Sequence, residues 1–291
     1  MKNIAFKLTS IFLALALLCG MAVIAAQAAY GPGTKLVVLG DSIPAGEGAT
    51  EKSKEYAEIL KTQKGFDVEN HAVGGHKSAD LLAILDTDEA AKQDIRDADI
   101  IALNIGGNDL LASNVITLVL RLIFLGDESA ADEYIEAFRP KFAQAVEKIR
   151  ALNPDALFIV QTLYNCMEGV PLVGSAYEVA VLKLNAIYWD YLEANPDTYV
   201  IADVYEAFKG RDGLVFRDRL HPSDDGHAMI ARVLTAIIDG TALDLEPLAG
   251  CEPGFFGQIV VFFRALVDYL GYWLSIYSPL ELLQKAIGFI V

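Results

Sequence analysis

Strand-like runs that give way to stretches of helical periodicity recur five times along this chain, at residues 35–40, 66–73, 99–105, 156–162 and 198–203. That alternation restricts the fold more than any other feature. Runs such as Lys35-Leu36-Val37-Val38-Leu39-Gly40 are apolar along most of their length rather than at every second position. Such strands belong to a sheet covered on both faces, as parallel strands joined by helices are. Helices are expected at 54–63, 78–85, 88–98, 132–152, 177–194 and 223–239, the fourth interrupted at Pro140, which lacks the N–H that a helix interior needs. The architecture implied is α/β: a three-layer α/β/α sandwich around a parallel sheet, with right-handed connections.

The ends of the chain stand apart from this pattern. Lys2 and Lys7 precede an uncharged stretch, residues 8–34, that passes through Ala26-Gln27-Ala28, a small-x-small cleavage pattern. Residues 1–28 therefore read as an export signal, with an uncleaved anchor or a lipidated Cys19 as alternatives, and the protein is expected outside the cell or at its envelope. The domain would occupy 29–248 and an apolar helical tail 249–291. Within 254–278 the only charges are Arg264 and Asp268, four apart, and Ser278-Pro279-Leu280-Glu281 matches a capping box that starts a second amphipathic helix. Residues 254–291 suit a membrane surface, or packing on the domain or a second subunit. A span is disfavoured by the charged pair near its middle. An apolar insert at 115–125, with Arg121 its only charge, reads either as a core helix or as a lid or acyl-chain wall.

Composition limits the partners. With 39 acidic against 23 basic residues the net charge is −16, which repels nucleic acid. No glycine loop with a lysine is present to cradle phosphates, so no nucleotide cofactor is expected, and no other cofactor or metal is called for.

In open parallel sheets, sites lie beyond the C-terminal ends of the strands. The segments there are Gly40-Asp41-Ser42, Gly74-Gly75, Gly106-Gly107-Asn108-Asp109 and Tyr164-Asn165. The four histidines are His71, His76, His221 and His227, and His221 falls in Asp218-Arg219-Leu220-His221, before the last helix. Taken singly these are a turn, an Asx turn or helix cap, and a surface pair. Together they supply a hydroxyl, an imidazole to take its proton, a carboxylate to orient the imidazole, and donors for an oxyanion. His221 and His227, with Asp224 and Asp225, could suggest a metal, but a structural partnership of His227 with the preceding loop is simpler. Asp41 and Asp109 are expected to brace their loops, His71 to face along a strand edge, and His76 to line the cleft. Gly40-Asp41-Ser42-Ile43-Pro44 lacks the second glycine of a Gly-x-Ser-x-Gly elbow, which disfavours the ordinary α/β-hydrolase fold.

On these blocks the sequence, over residues 35–239, resembles the SGNH (GDSL-type) hydrolase family. The resemblance implies a flavodoxin-like three-layer sandwich, Ser42 as nucleophile, His221 as base and Asp218 as its orienting acid. It further implies an oxyanion hole built from the Ser42 and Gly75 N–H groups and the Asn108 amide. The activity implied is ester hydrolysis through an acyl-Ser42 intermediate. Lipid esters (lysophospholipase- or lipase-like) are the leading substrate class, supported by the insert and the tail. Alternatives are a carbohydrate or cell-wall O-acetylesterase and a non-catalytic surface binding module. Many relatives carry proline where this chain has Cys166; with export, Cys166 and Cys251 stand either as a disulfide or as two thiols.

Overall fold

The structure is a computed structural model that describes residues 30–111, 121, 127–171 and 173–245. The signal expected at 1–28, the tail at 249–291 with Cys251, and nearly all of the 115–125 insert lie outside those residues.

The sheet has five parallel strands in the order β2-β1-β3-β4-β5: β1 (Lys35–Gly40), β2 (Asp67–Asn70), β3 (Ile100–Asn104), β4 (Leu157–Gln161) and β5 (Val200–Ala202). Leu36–Leu39 and Ile100–Leu103 are fully buried, as expected for strands covered on both faces. Edge strand β2 is largely exposed.

Helices α1 (Tyr56–Lys64), α2 (Ser78–Thr87), α3 (Glu89–Asp97), α4 (Gly107–Leu111), α5 (Asp132–Leu152), α6 (Val173–Ala194), α7 (Val204–Phe208) and α8 (Asp224–Ile238) complete the described fold. Helices α1, α7 and α8 form one layer, and α2 to α6 form the other. Caps mark several starts: Asp88 accepts from the Ala90 and Ala91 N–H groups at α3, and Ser223 Oγ accepts from Gly226 N–H at α8. The three-layer parallel architecture expected from the sequence is thus present, with one correction. Helix α5 runs unbroken through Pro140, which lies on its exposed side, where the carbonyl deprived of its partner can face water.

From β1 the chain crosses to the edge at β2, then returns past β1 to β3. The loops leaving β1 and β3 therefore diverge to opposite layers and open a crevice between them, the usual place for a ligand in such sheets. Gly40, the last residue of β1, pairs with Asn104 at the last position of β3. Its φ is +136°, and a Cβ there would stand 1.8 Å from the Asn104 carbonyl oxygen. Only glycine lets the two strands close at this point. Gly40→Ala should lower the melting temperature by about 10 °C or more. Gly31→Ala, with nothing within 4 Å of the added atom, should leave it nearly unchanged; thermal unfolding by circular dichroism decides, and equal melting temperatures would refute the close-approach account.

Candidate active site

Three residues that the sequence singled out meet at the crevice. Ser42 lies in the turn after β1, and His221 and Asp218 in the loop before α8. His221 Nε2 is 3.0 Å from Ser42 Oγ, and His221 Nδ1 is 2.6 Å from Asp218 Oδ2. The second oxygen, Asp218 Oδ1, accepts from the Leu220 and His221 N–H groups, each at 3.0 Å. Burial opposes the charge on Asp218, yet these hydrogen bonds hold its carboxyl below the usual carboxylate range. The carboxylate and the backbone between them fix the imidazole: Nδ1 carries the proton shared with Asp218, and Nε2 is left to accept from the serine.

Other contacts clamp this loop in place. The Tyr164 hydroxyl donates to the Leu220 carbonyl at 2.8 Å, and its ring stacks on Phe208 at 4.3 Å. His227 Nε2–H donates to the Glu47 carbonyl at 3.0 Å, and Asp224 accepts from the Thr50 N–H and hydroxyl at 2.8 and 2.7 Å. His227 thus partners the loop that follows Ser42, and burial pushes its pKa below the ordinary imidazole value.

Asn108 lies in the first turn of α4. One amide hydrogen goes to the His76 carbonyl at 3.0 Å, which ties Asn108 to the Gly74-Gly75 turn, and its second hydrogen has no acceptor among the described residues. Neither the Ser42 N–H nor the Gly75 N–H donates to another described residue. Asp109 bonds the Ser78 N–H at 2.8 Å and hydroxyl at 2.5 Å, bracing the start of α2. His71 Nε2 meets Asp94 at 2.9 Å at the strand edge. Cys166 is buried and its thiol is pushed up to about 12, burial being the main cause; Cys251, with which it would form a disulfide or stand as a second thiol, lies outside the described residues.

A cavity of about 40 Å³ adjoins Ser42, with Ile43, Leu111, Leu163, Tyr177 and Leu220 among its walls. A much larger open groove, about 680 Å³, lies at the opposite end of the sheet between Phe158, Trp189 and Val200. Nothing lining that groove pairs a nucleophile with a base, so size is a poor guide here and the small cavity beside Ser42 and His221 is the candidate site.

One site residue escaped the sequence reading. The Glu47 carboxylate stands 3.3 Å from His221 Nε2 with its side chain half exposed. That nitrogen is the one that also faces Ser42 Oγ, the other ring nitrogen being taken by Asp218. The signal that could have revealed it was Gly46-Glu47-Gly48, a carboxylate between two glycines five residues after the serine.

The pattern of the GDSL-like lipase/acylhydrolase family matches residues 38–229. An uncharacterized protein, YpmR, of Bacillus subtilis strain 168 is 29% identical over 219 residues, which are 69% of this chain and 80% of YpmR. The lipase Lip_vut3 from a goat rumen metagenome has a similar fold, with a TM-score of 0.56 at 24% identity over 72% of this chain and all of that one. An acetyl xylan esterase from Geobacillus stearothermophilus does so at 0.50 and 20%, over 75% of this chain and all of the esterase.

Asp41 supplies a test of this geometry. Burial pushes its carboxyl from the ordinary 3.8 up to about 7, against the hydrogen bond that it accepts from Ile43 N–H. The native protein then holds a proton that the unfolded chain has released, so stability falls as pH rises from about 4 through about 7. Between pH 5 and pH 8 the wild-type melting temperature should drop about 5 °C further than that of Asp41→Asn. Equal drops would show that Asp41 is not held protonated.

Proposed function

This chain belongs to the GDSL-like lipase/acylhydrolase family and is an ester-bond hydrolase, and from that premise we propose that Ser42, His221 and Asp218 carry the reaction. The observation behind this reading is the continuous chain from Ser42 Oγ through His221 to the buried Asp218 carboxylate. His221 Nε2 takes the Ser42 proton as Oγ bonds to the ester carbonyl carbon. The tetrahedral oxyanion receives hydrogen bonds from the Ser42 and Gly75 N–H groups and the unspent Asn108 hydrogen. Collapse breaks the bond to the alcohol oxygen, which leaves with the proton from His221. Water then gives a proton to the same nitrogen as it attacks acyl-Ser42, and collapse breaks the acyl–Oγ bond, returns that proton to Ser42 Oγ and releases the acid. Asp218 stays ionised throughout and opposes the positive charge on the imidazole.

Lipid esters, such as acylglycerols and lysophospholipids, are the substrates that the apolar walls beside Ser42 suit best. The small volume of that cavity favours a second reading, a short acyl group such as acetate. Export through residues 1–28 and a membrane-surface role for 254–291 belong to the lipid reading; a chain ending at residue 245 should then lose binding to phospholipid vesicles in a pelleting assay.

Ser42→Ala should abolish ester hydrolysis with the circular dichroism spectrum unchanged, and residual turnover at the wild-type rate would move the nucleophile elsewhere. Asn108→Ala should lower kcat by about 10²–10³-fold, the usual cost of one oxyanion donor. A chain-length series of p-nitrophenyl esters separates lipid esters from acetate by the position of its maximum, and no turnover at any length favours the non-catalytic binding module.

A further inference from the structure

The position of Glu47 extends the reading just given and rests on it. The tetrahedral intermediate can expel its alcohol only if the leaving oxygen reaches His221 Nε2, at a hydrogen-bond distance of about 2.6–3.2 Å. Glu47 Oε2 is already 3.3 Å from that nitrogen. Whatever the substrate, its leaving oxygen must therefore come within about 6.5 Å of the Glu47 carboxylate, and a hydroxyl on the adjacent carbon spans what remains. Glu47 consequently faces the alcohol part of the ester, while the apolar cavity lies among Ile43, Leu163 and Tyr177.

The carboxylate is held there by its surroundings. Gly48 has a φ of +93°, and a Cβ on it would meet the Pro222 carbonyl oxygen at 2.2 Å and His221 Cβ at 2.8 Å, so this turn is wedged against the histidine loop. A Cβ on Gly74 would stand 1.9 Å from Glu47 Oε1, so the side chain rests against the turn that presents Gly75. The Glu47 carbonyl is held by His227 and its N–H donates to the Ser42 carbonyl at 3.0 Å. Its carboxylate meets the His221 ring, and no lysine or arginine among the described residues pairs with it.

We propose that Glu47 selects the alcohol part of the substrate, favouring neutral polyhydroxy alcohols such as glycerol or a sugar over those that bear a phosphate, and so narrows the lipid esters named above to acylglycerols, against lysophospholipids. A neutral polyol donates a hydroxyl hydrogen to the carboxylate. A phosphate on the next carbon brings a second negative charge into a half-exposed site, where such repulsion is only partly screened.

The test compares two esters with the same acyl group, 1-monobutyrin and 1-butyrylglycerol 3-phosphate, on the full chain and on Glu47→Gln. Wild type should cleave the neutral ester with a kcat/KM at least about tenfold higher. Glu47→Gln should shrink that ratio several-fold, and 1 M NaCl should shrink it in the wild type. A loss of imidazolium stabilisation or of folded protein scales both esters alike and leaves the ratio untouched, so the ratio reports selection of the alcohol. An unchanged ratio in Glu47→Gln, with both esters hydrolysed, would overturn this inference and leave the hydrolase reading standing. Hydrolysis of neither ester by wild type would overturn both.

Discussion

A carboxylate removed from water must be met by donors, and Asp218, 1% exposed, is met by three: two backbone N–H groups and the imidazole of His221. Satisfying them forces the chain between the two residues into a tight turn, in which Arg219 takes the left-handed conformation at φ 57°. That strain, of order 1–3 kcal/mol for a residue other than glycine, is offset by the bonds to the buried charge. The turn leaves His221 Nε2 one place to point, and Ser42 stands there. Removing Asp218 would strand the imidazole and release the turn together.

The sheet determines what the imidazole meets. Because β1 and β3 are neighbours whose following loops part to opposite layers, Ser42 and Asn108 arrive at the two lips of one crevice. The loop of Ser42 is then fastened to the loop of His221 through the Glu47 carbonyl with His227, and Thr50 with Asp224. These bonds bridge residues far apart in sequence, so the site is as rigid as the contact between the two loops. The same fastening brings the Glu47 carboxylate against His221.

Much of this was legible in the sequence. Unbroken apolar runs at β1, β3 and β4 announce a sheet covered on both faces, and most helix limits fall within a few residues of those expected. The block residues Ser42, Asn108, Asp218 and His221 stood out because each follows a strand or precedes a helix. What could not be read was tertiary. Pro140 forbids a helix interior only when the freed carbonyl has no water, and nothing local says that α5 turns that face outward. Helices α4 and α7 have five residues each, too few for periodicity to register. Glu47 looks like any loop acid until the distant His221 loop folds onto it.

The account stands on an activated Ser42, and a fluorophosphonate probe followed by peptide mass mapping tests that most directly. The adduct should fall on the peptide containing Ser42, and should vanish both on prior denaturation and in His221→Ala. An adduct on another serine, or labelling of Ser42 that persists undiminished without His221, would contradict it.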